Sequence, residues 1–217
     1  MNPRYSRSWC LAALIALLAL GGCRSVYYST MERFGVEKRD ILADRVEDAR
    51  DVQQETKEQF ADALEEFSAL IGFDGEELER LYRRLESRFQ ASERSAERIK
   101  ERNDDVERVA KDLFREWEQE LDQYQSESLR RQSEVQLNQT KDRYADLITR
   151  MRRAEAKIEP VLRAFRDQVL FLKHNLNAQA IASLENEAAR VQTDVRDLIR
   201  EMEAAIDEAN IFLENIR

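Results

Sequence analysis

The sequence predicts an all-α protein, an elongated, antiparallel, coiled-coil-like bundle of four long helices. Three observations carry that reading. From Tyr28 onward the chain holds only three glycines (Gly35, Gly72, Gly75) and one proline (Pro160), among abundant Glu, Arg, Ala, Leu and Gln. No useful length of it alternates apolar and polar residues with period two, as a half-buried strand would. Apolar residues instead recur at alternating steps of three and four over long distances, the spacing of a coiled-coil seam.

The first helix is expected over 28–70, on Leu42, Val46, Ala49, Thr56, Phe60, Ala63, Phe67 and Leu70, with Gln53 as its weak point. The stretch IGFDGEE (71–77) interrupts it: Gly72 suits a helix C-terminus, and Asp74 with Glu77 form an acidic variant of the capping box. The second helix, 76–126, steps through Leu78, Tyr82, Leu85, Phe89, Ser92, Ala96, Ile99, Asn103, Val106, Ala110, Leu113 and Trp117. An amide on such a seam commonly fixes register, and that is the role expected of Asn103.

Between 125 and 140 the rhythm lapses without Gly or Pro, so a turn is expected there. The third helix, 138–174, follows Tyr144, Leu147, Met151, Ala154, Ile158, Val161, Phe165 and Leu172, with Gln168 weak. Pro160 lies inside this pattern and removes a backbone donor at a cost of about 3 kcal/mol, so a kink is expected between Lys157 and Pro160. In HNLNAQA (174–180), Asn175 and Asn177 suit a tight reversal because asparagine tolerates the left-handed conformation.

The fourth helix, 179–216, has the most regular seam: Ile181, Leu184, Ala188, Val191, Val195, Leu198, Met202, Ala205, Ala209, Phe212 and Ile216, all apolar. Leu64, Leu81, Phe114, Leu121, Leu162 and Ile199 widen the stripes, as in a bundle where each helix touches more than one neighbour. Short connections make neighbours antiparallel, which gives an up-down-up-down order of helices each about 60 to 75 Å long. Three helices, with the middle pair partly continuous, is the alternative.

Charge sorts along the chain in a way that supports this pairing. Residues 28–71 and 174–217 are acid-rich, whereas 80–102 and 141–173 are base-rich, so basic stretches face acidic neighbours in sequence order. Pairs four apart, Glu79 with Arg83, Asp104 with Arg108 and Asp146 with Arg150, add about 0.2 to 0.5 kcal/mol each. The arginine-rich run 80–102 has the donors to hold lipid phosphates, but a charged face matched to acidic helices is the simpler expectation.

The inventory of reactive groups is poor. His174 is the only histidine and lies at the expected end of the third helix, where a capping or solvated role is anticipated. No phosphate-cradling glycine loop, nucleophile elbow or zinc-ligand spacing occurs, and a Glu-x-x-His di-iron site needs more histidine than the chain has. No catalytic residue, metal ligand or cofactor is therefore expected. With a net charge of −9, nucleic acid is not an expected partner either.

The amino terminus carries the most specific signal. Arg4 and Arg7 precede an apolar run from Leu11 to Leu20, the layout of a secretory signal and short of the roughly 20 residues a spanning helix needs. Leu20, Gly21, Gly22 and Cys23 resemble the lipobox of bacterial lipoproteins. That resemblance implies cleavage between Gly22 and Cys23 and acylation of Cys23, with palmitate as a natural label. Arg24 stands where an aspartate would resemble the inner-membrane retention signal, so the expected address is the periplasmic face of the outer membrane. Losing the leader removes Arg4 and Arg7, taking the net charge from −9 to −11, and Cys10 with them. The chain thus reads as a signal peptide (1–22), a lipidated linker (23–27) and a helical bundle domain (28–217).

With YYSTMERFGVEKRDILADRVEDARDVQQETKEQF and FRDQVLFLKHNLNAQAIASLE in view, the chain resembles an uncharacterised family of proteobacterial lipoproteins catalogued as a domain of unknown function. The likeness covers the mature chain and implies no activity. The expected function is that of a lipid-anchored periplasmic scaffold, adaptor or spacer, held to the membrane by its N-terminal lipid and binding an envelope protein, with homo-oligomers possible. The alternative is a membrane-surface lipid-binding or membrane-shaping module. An enzyme would need a polar cluster inside the bundle that the sequence does not advertise.

Overall fold

The computed structural model describes residues 38–71, 78–175 and 178–216. The chain divides into two compact units, 1–41 and 42–217. Of the first, only Lys38 to Ile41, the opening turn of a helix, are described; the second is a helical bundle.

Four helices follow one another: α1 (Lys38–Ile71), α2 (Leu78–Leu121), α3 (Glu127–His174) and α4 (Ala178–Ile216), with no strand among the described residues. Their 34, 44, 48 and 39 residues correspond to helices about 50 to 70 Å long. The break at 122–126 divides the middle pair, so among the described residues the chain forms four long helices rather than three.

Polar ties across the bundle fix its topology. Glu55, Asp62 and Glu66 ascend α1 while their partners Arg98, Arg88 and Arg84 descend α2. Glu93, Asp104 and Glu118 ascend α2 as Arg166, Arg152 and Lys141 descend α3. Arg153 reaches Glu201 from α3 to α4, and α4 returns to α1 through Glu203 with Lys57 and Asn210 with Arg50. Neighbours are therefore antiparallel, in up-down-up-down order. The acid-rich outer helices meet the base-rich inner ones, as the charge pattern predicts. Of the three expected short-range pairs, Glu79 with Arg83 forms; Arg108 instead turns to Asp105 at 2.7 Å, leaving Asp104 to Arg152, and Asp146 and Arg150 do not pair.

The seams enclose the core. All eleven seam residues of α4 are buried, and Phe67 meets Phe165 edge-on across the interior, ring centroids 5.7 Å apart. Each fully buried Phe or Leu contributes about 1.5 to 3 kcal/mol. Two steps differ from the expected rhythm: Ser95 is buried where Ala96 was the expected seam residue, and Val169 replaces Gln168. At both, a three and a four exchange order, as a helix of 3.6 residues per turn drifts against a 3.5-residue repeat.

The turn between α2 and α3 also lies elsewhere than expected. α2 ends at Leu121 rather than 126, and α3 begins at Glu127 rather than 138. Ser126, extended at φ −90° and ψ 111°, caps α3 by accepting the Leu129 amide at 3.4 Å. The apolar rhythm lapses in the first turns of α3 because most of that stretch faces water: Leu129 and Val135 are more than half exposed, and the first buried residue is Leu137. Trp117 steadies it by donating Nε1 to Ser133 Oγ at 2.8 Å.

At the other end, Asn175 caps α3 without left-handed backbone (φ −136°). Its amide N–H donates to the Leu172 carbonyl and its Nδ2 to that of Phe171. Gly72, Asp74, Glu77 and Asn177 lie outside the described residues.

Candidate functional site

The densest polar cluster in the bundle joins the middle of α2 to α3. Asn103 and Val106 keep the α2 seam turned inward, which places Asp104 and Glu107 on its flank toward α3. On α3, Met151 and Ala154 are buried and hold Arg152 and Glu155 at the rim.

Arg152 then uses every edge of its guanidinium. Nη2 donates to Asp104 Oδ1 at 2.6 Å, Nε to Glu107 Oε1 at 2.8 Å and Nη1 to Glu155 Oε2 at 2.6 Å. Glu155 Oε2 also accepts from Asn103 Nδ2 at 2.8 Å. A planar, five-donor group is the one side chain able to hold three carboxylates in this fan. The Glu107 hydrogen bond, then those of Asp104 and Glu155, raise the Arg152 pKa against the opposing effect of burial.

Tyr144 closes the cluster, packed edge-on against Phe114 at 5.4 Å. Lys141 lies 5.9 Å from the same ring while pairing with Glu118. A shallow groove lined by Asp104, Glu107, Arg108, Lys111 and Tyr144 opens here. Burial, then the Glu107 carboxylate, pushes the Tyr144 hydroxyl up to about 12, against the opposing pull of Arg152.

That shift has a sign for stability. An unfolded tyrosine ionises near pH 10, two units below the folded one, so the contribution is complete below about pH 10 and is lost as pH rises through 12. Tyr144→Phe is therefore expected to lose less stability than the wild type between pH 9 and 12, measured by chemical denaturation at each pH. Parallel curves would refute it.

Chemically, the arrangement fastens. Asp104 and Glu107 are both engaged by Arg152, and the tyrosine beside them, shifted upward, holds its proton at neutral pH. Among the described residues no group of three or more His, Cys, Asp or Glu is placed to hold a metal ion.

A second polar feature lies on the α1–α2 side. Gln53, Thr56, Ser92 and Ser95 are all buried. Thr56 and Ser92 return their hydroxyls to the carbonyls of Val52 and Arg88, and Ser95 accepts from Arg98. Gln53 has no such outlet: both its amide oxygen and nitrogen are buried without a hydrogen bond, as are Gln59 Oε1 and Asn103 Oδ1. Each atom of this kind costs about 1 to 3 kcal/mol.

Of the residues singled out from sequence, Asn103 lies fully buried in the Arg152 cluster. Pro160 lies within α3, which continues through it, and is exposed. His174 is exposed as the last residue of α3. Gly22 and Cys23 lie outside the described residues. In the sequence Arg152 is one base among many and Tyr144 one seam member. The available signal was Glu155 three residues beyond Arg152, on the flank of a seam facing an acidic stretch of α2.

Among the described residues no helix is long and apolar enough to cross a membrane. No curated protein matches the chain, and no solved structure does. A family model described as "Protein of unknown function (DUF2959)" matches residues 27–216, most of the chain, and the protein belongs to that family.

Proposed function

We propose that this protein is a lipid-anchored periplasmic helical bundle that works by binding, as a scaffold, adaptor or spacer at the outer membrane, without catalysis. The observation that carries the reading is how the bundle uses its charge. Arg84, Arg88, Arg98, Arg152, Arg153 and Arg166 all tie one helix to the next. The arginine-rich run 80–102 thus commits three of its cations to α1, which supports a matched helix surface over a phosphate-binding one. The lipobox-like sequence ending at Cys23 supports the tether.

Up-down-up-down order brings the start of the bundle, the α2–α3 connection and the end of α4 to one end. A membrane-surface role is the second reading, favoured by exposed Tyr124, Leu129 and Val135 around the α2–α3 connection. Salt-sensitive binding of the lipid-free chain to anionic liposomes would support it over the scaffold.

The tether is tested by growing cells with an alkyne analogue of palmitate. Wild type is expected to label and to fractionate with outer membranes, and Cys23→Ser to lose all label and become extractable without detergent. Label retained in Cys23→Ser, or absent from the wild type, would overturn the anchor. Photo-crosslinkers placed along α2 and α4 then identify the partner.

A further inference from the structure

We infer that the N-terminal half of α1, residues 42–59, opens from the bundle as a strap while residues 60–71 stay docked. The inference rests on the bundle alone and stands with or without a lipid at Cys23.

The seam of α1 is divided by size. From residue 60 it buries Phe60, Ala63, Phe67 and Leu70, and Phe67 is locked edge-on to Phe165 of α3. Before residue 60 the large buried apolar residues, Ile41, Leu42 and Val46, all lie in the first nine positions of the helix. After them come Ala49, Gln53 and Thr56, which give the core little apolar surface to hold.

Unmet polarity falls in the same half. Both amide atoms of Gln53 and Oε1 of Gln59 are buried without a hydrogen bond, and among the described residues no atom of α3 or α4 is in that condition. These groups gain water when the strap opens and lose it when the strap closes. In α2 Asn103 Oδ1 and Asp112 Oδ2 are also without a hydrogen bond, but each residue is held by its other polar atom, Asn103 to Glu155 and Asp112 to Arg115; the open state is thereby favoured here relative to α3 and α4.

Several surface ties of this half are exposed or long. Arg98 grips Glu55 with two bonds of 2.8 and 3.0 Å, but both side chains are more than 40% exposed. Three further ties of this half are long: Lys57 to Glu203 at 3.6 Å, Arg50 to Asn210 at 3.3 Å and the Ser92 hydroxyl to the Gln59 carbonyl at 3.4 Å. The docked half has similar surface pairs, Arg84 with Glu66 and Arg88 with Asp62, so the contrast lies in the core. Phe60 is the hinge-side boundary, the first large apolar side chain after the polar band.

Hydrogen exchange on the full chain, read by mass spectrometry, tests this. Helix ends fray, so the interior stretch 49–59 decides. Its amides are expected to exchange at least ten-fold faster than those of 60–71 and of central α3 and α4. Gln53→Leu removes the unpaired amide and is expected to slow exchange in 49–59 by ten-fold or more while leaving 60–71 unchanged. Uniform protection along α1 in the wild type would overturn the strap. So would a Gln53→Leu variant whose exchange slows equally in all four helices, since the polar band would then weaken the bundle as a whole. Should that variant fold poorly, the gradient within wild-type α1 decides alone.

Discussion

Phe165→Ala is expected to destabilise the bundle by about 3 to 5 kcal/mol, the range for deleting a fully buried phenylalanine. Phe165 lies in the interior of α3 with its ring against the face of Phe67, and both are among the largest fully buried side chains. Alanine leaves a cavity that four interlocked helices cannot collapse around, so the transfer and cavity costs add. In a protein of this size the thermal midpoint should fall by about 10 °C. Calorimetry or the circular-dichroism melt checks it, with Phe171→Ala as the control. Phe171 is 39% exposed, near the same end of α3, and its replacement should change stability by about 0.5 kcal/mol or less. Equal effects at the two positions would mean the Phe67–Phe165 stack is not the core of that region.

Arg152→Ala is expected to lower stability by about 2 to 3 kcal/mol, more than any single surface pair contributes. Its removal leaves Asp104, Glu107 and Glu155 clustered without their shared cation, and Glu155 still receiving the Asn103 amide at the edge of the core. Lysine offers one compact ammonium in place of the planar fork, so Arg152→Lys should recover less than half of the loss. Urea denaturation of the three proteins measures this, and repeating it in 1 M salt should narrow the gap, because the cluster is partly open to solvent. A loss below about 0.5 kcal/mol would reduce Arg152 to an ordinary surface residue. A double-mutant cycle with Asn103→Ala would show whether the buried amide and the guanidinium act through their shared carboxylate, Glu155.

Where a helix buries one continuous face, its pattern could be read directly. The seam of α4 has no polar member, and every residue of it lies in the core. Asn103 stood out for the opposite reason, as an amide among apolar positions. The start of α3 was illegible because periodicity reports burial rather than helicity. Glu127 to Gln136 form helix but bury no residue that would impose a rhythm, so the stretch reads like a loop. The true break carries only a short polar run, Asp122 to Gln125, with Ser126 as cap and neither Gly nor Pro to mark it. The Arg152 cluster was hidden because its members lie some fifty residues apart and depend on the register between two helices, which composition does not fix. Gln53 was visible as a weak point in a seam. That both ends of its amide would be left without a partner is a property of the packed core alone.

The lengthwise alignment of α1 with its two neighbours makes its resistance to force depend on direction. Tension applied at Leu42 along the helix axis loads the seam in shear: Leu42 through Leu70 must all slide past α2 and α4 together before anything yields. A sideways tug parts the same surfaces one layer after another: Leu42 and Val46 first, then the polar band of Gln53 and Thr56, then Phe60. The bundle is therefore stiff when stretched and compliant when levered.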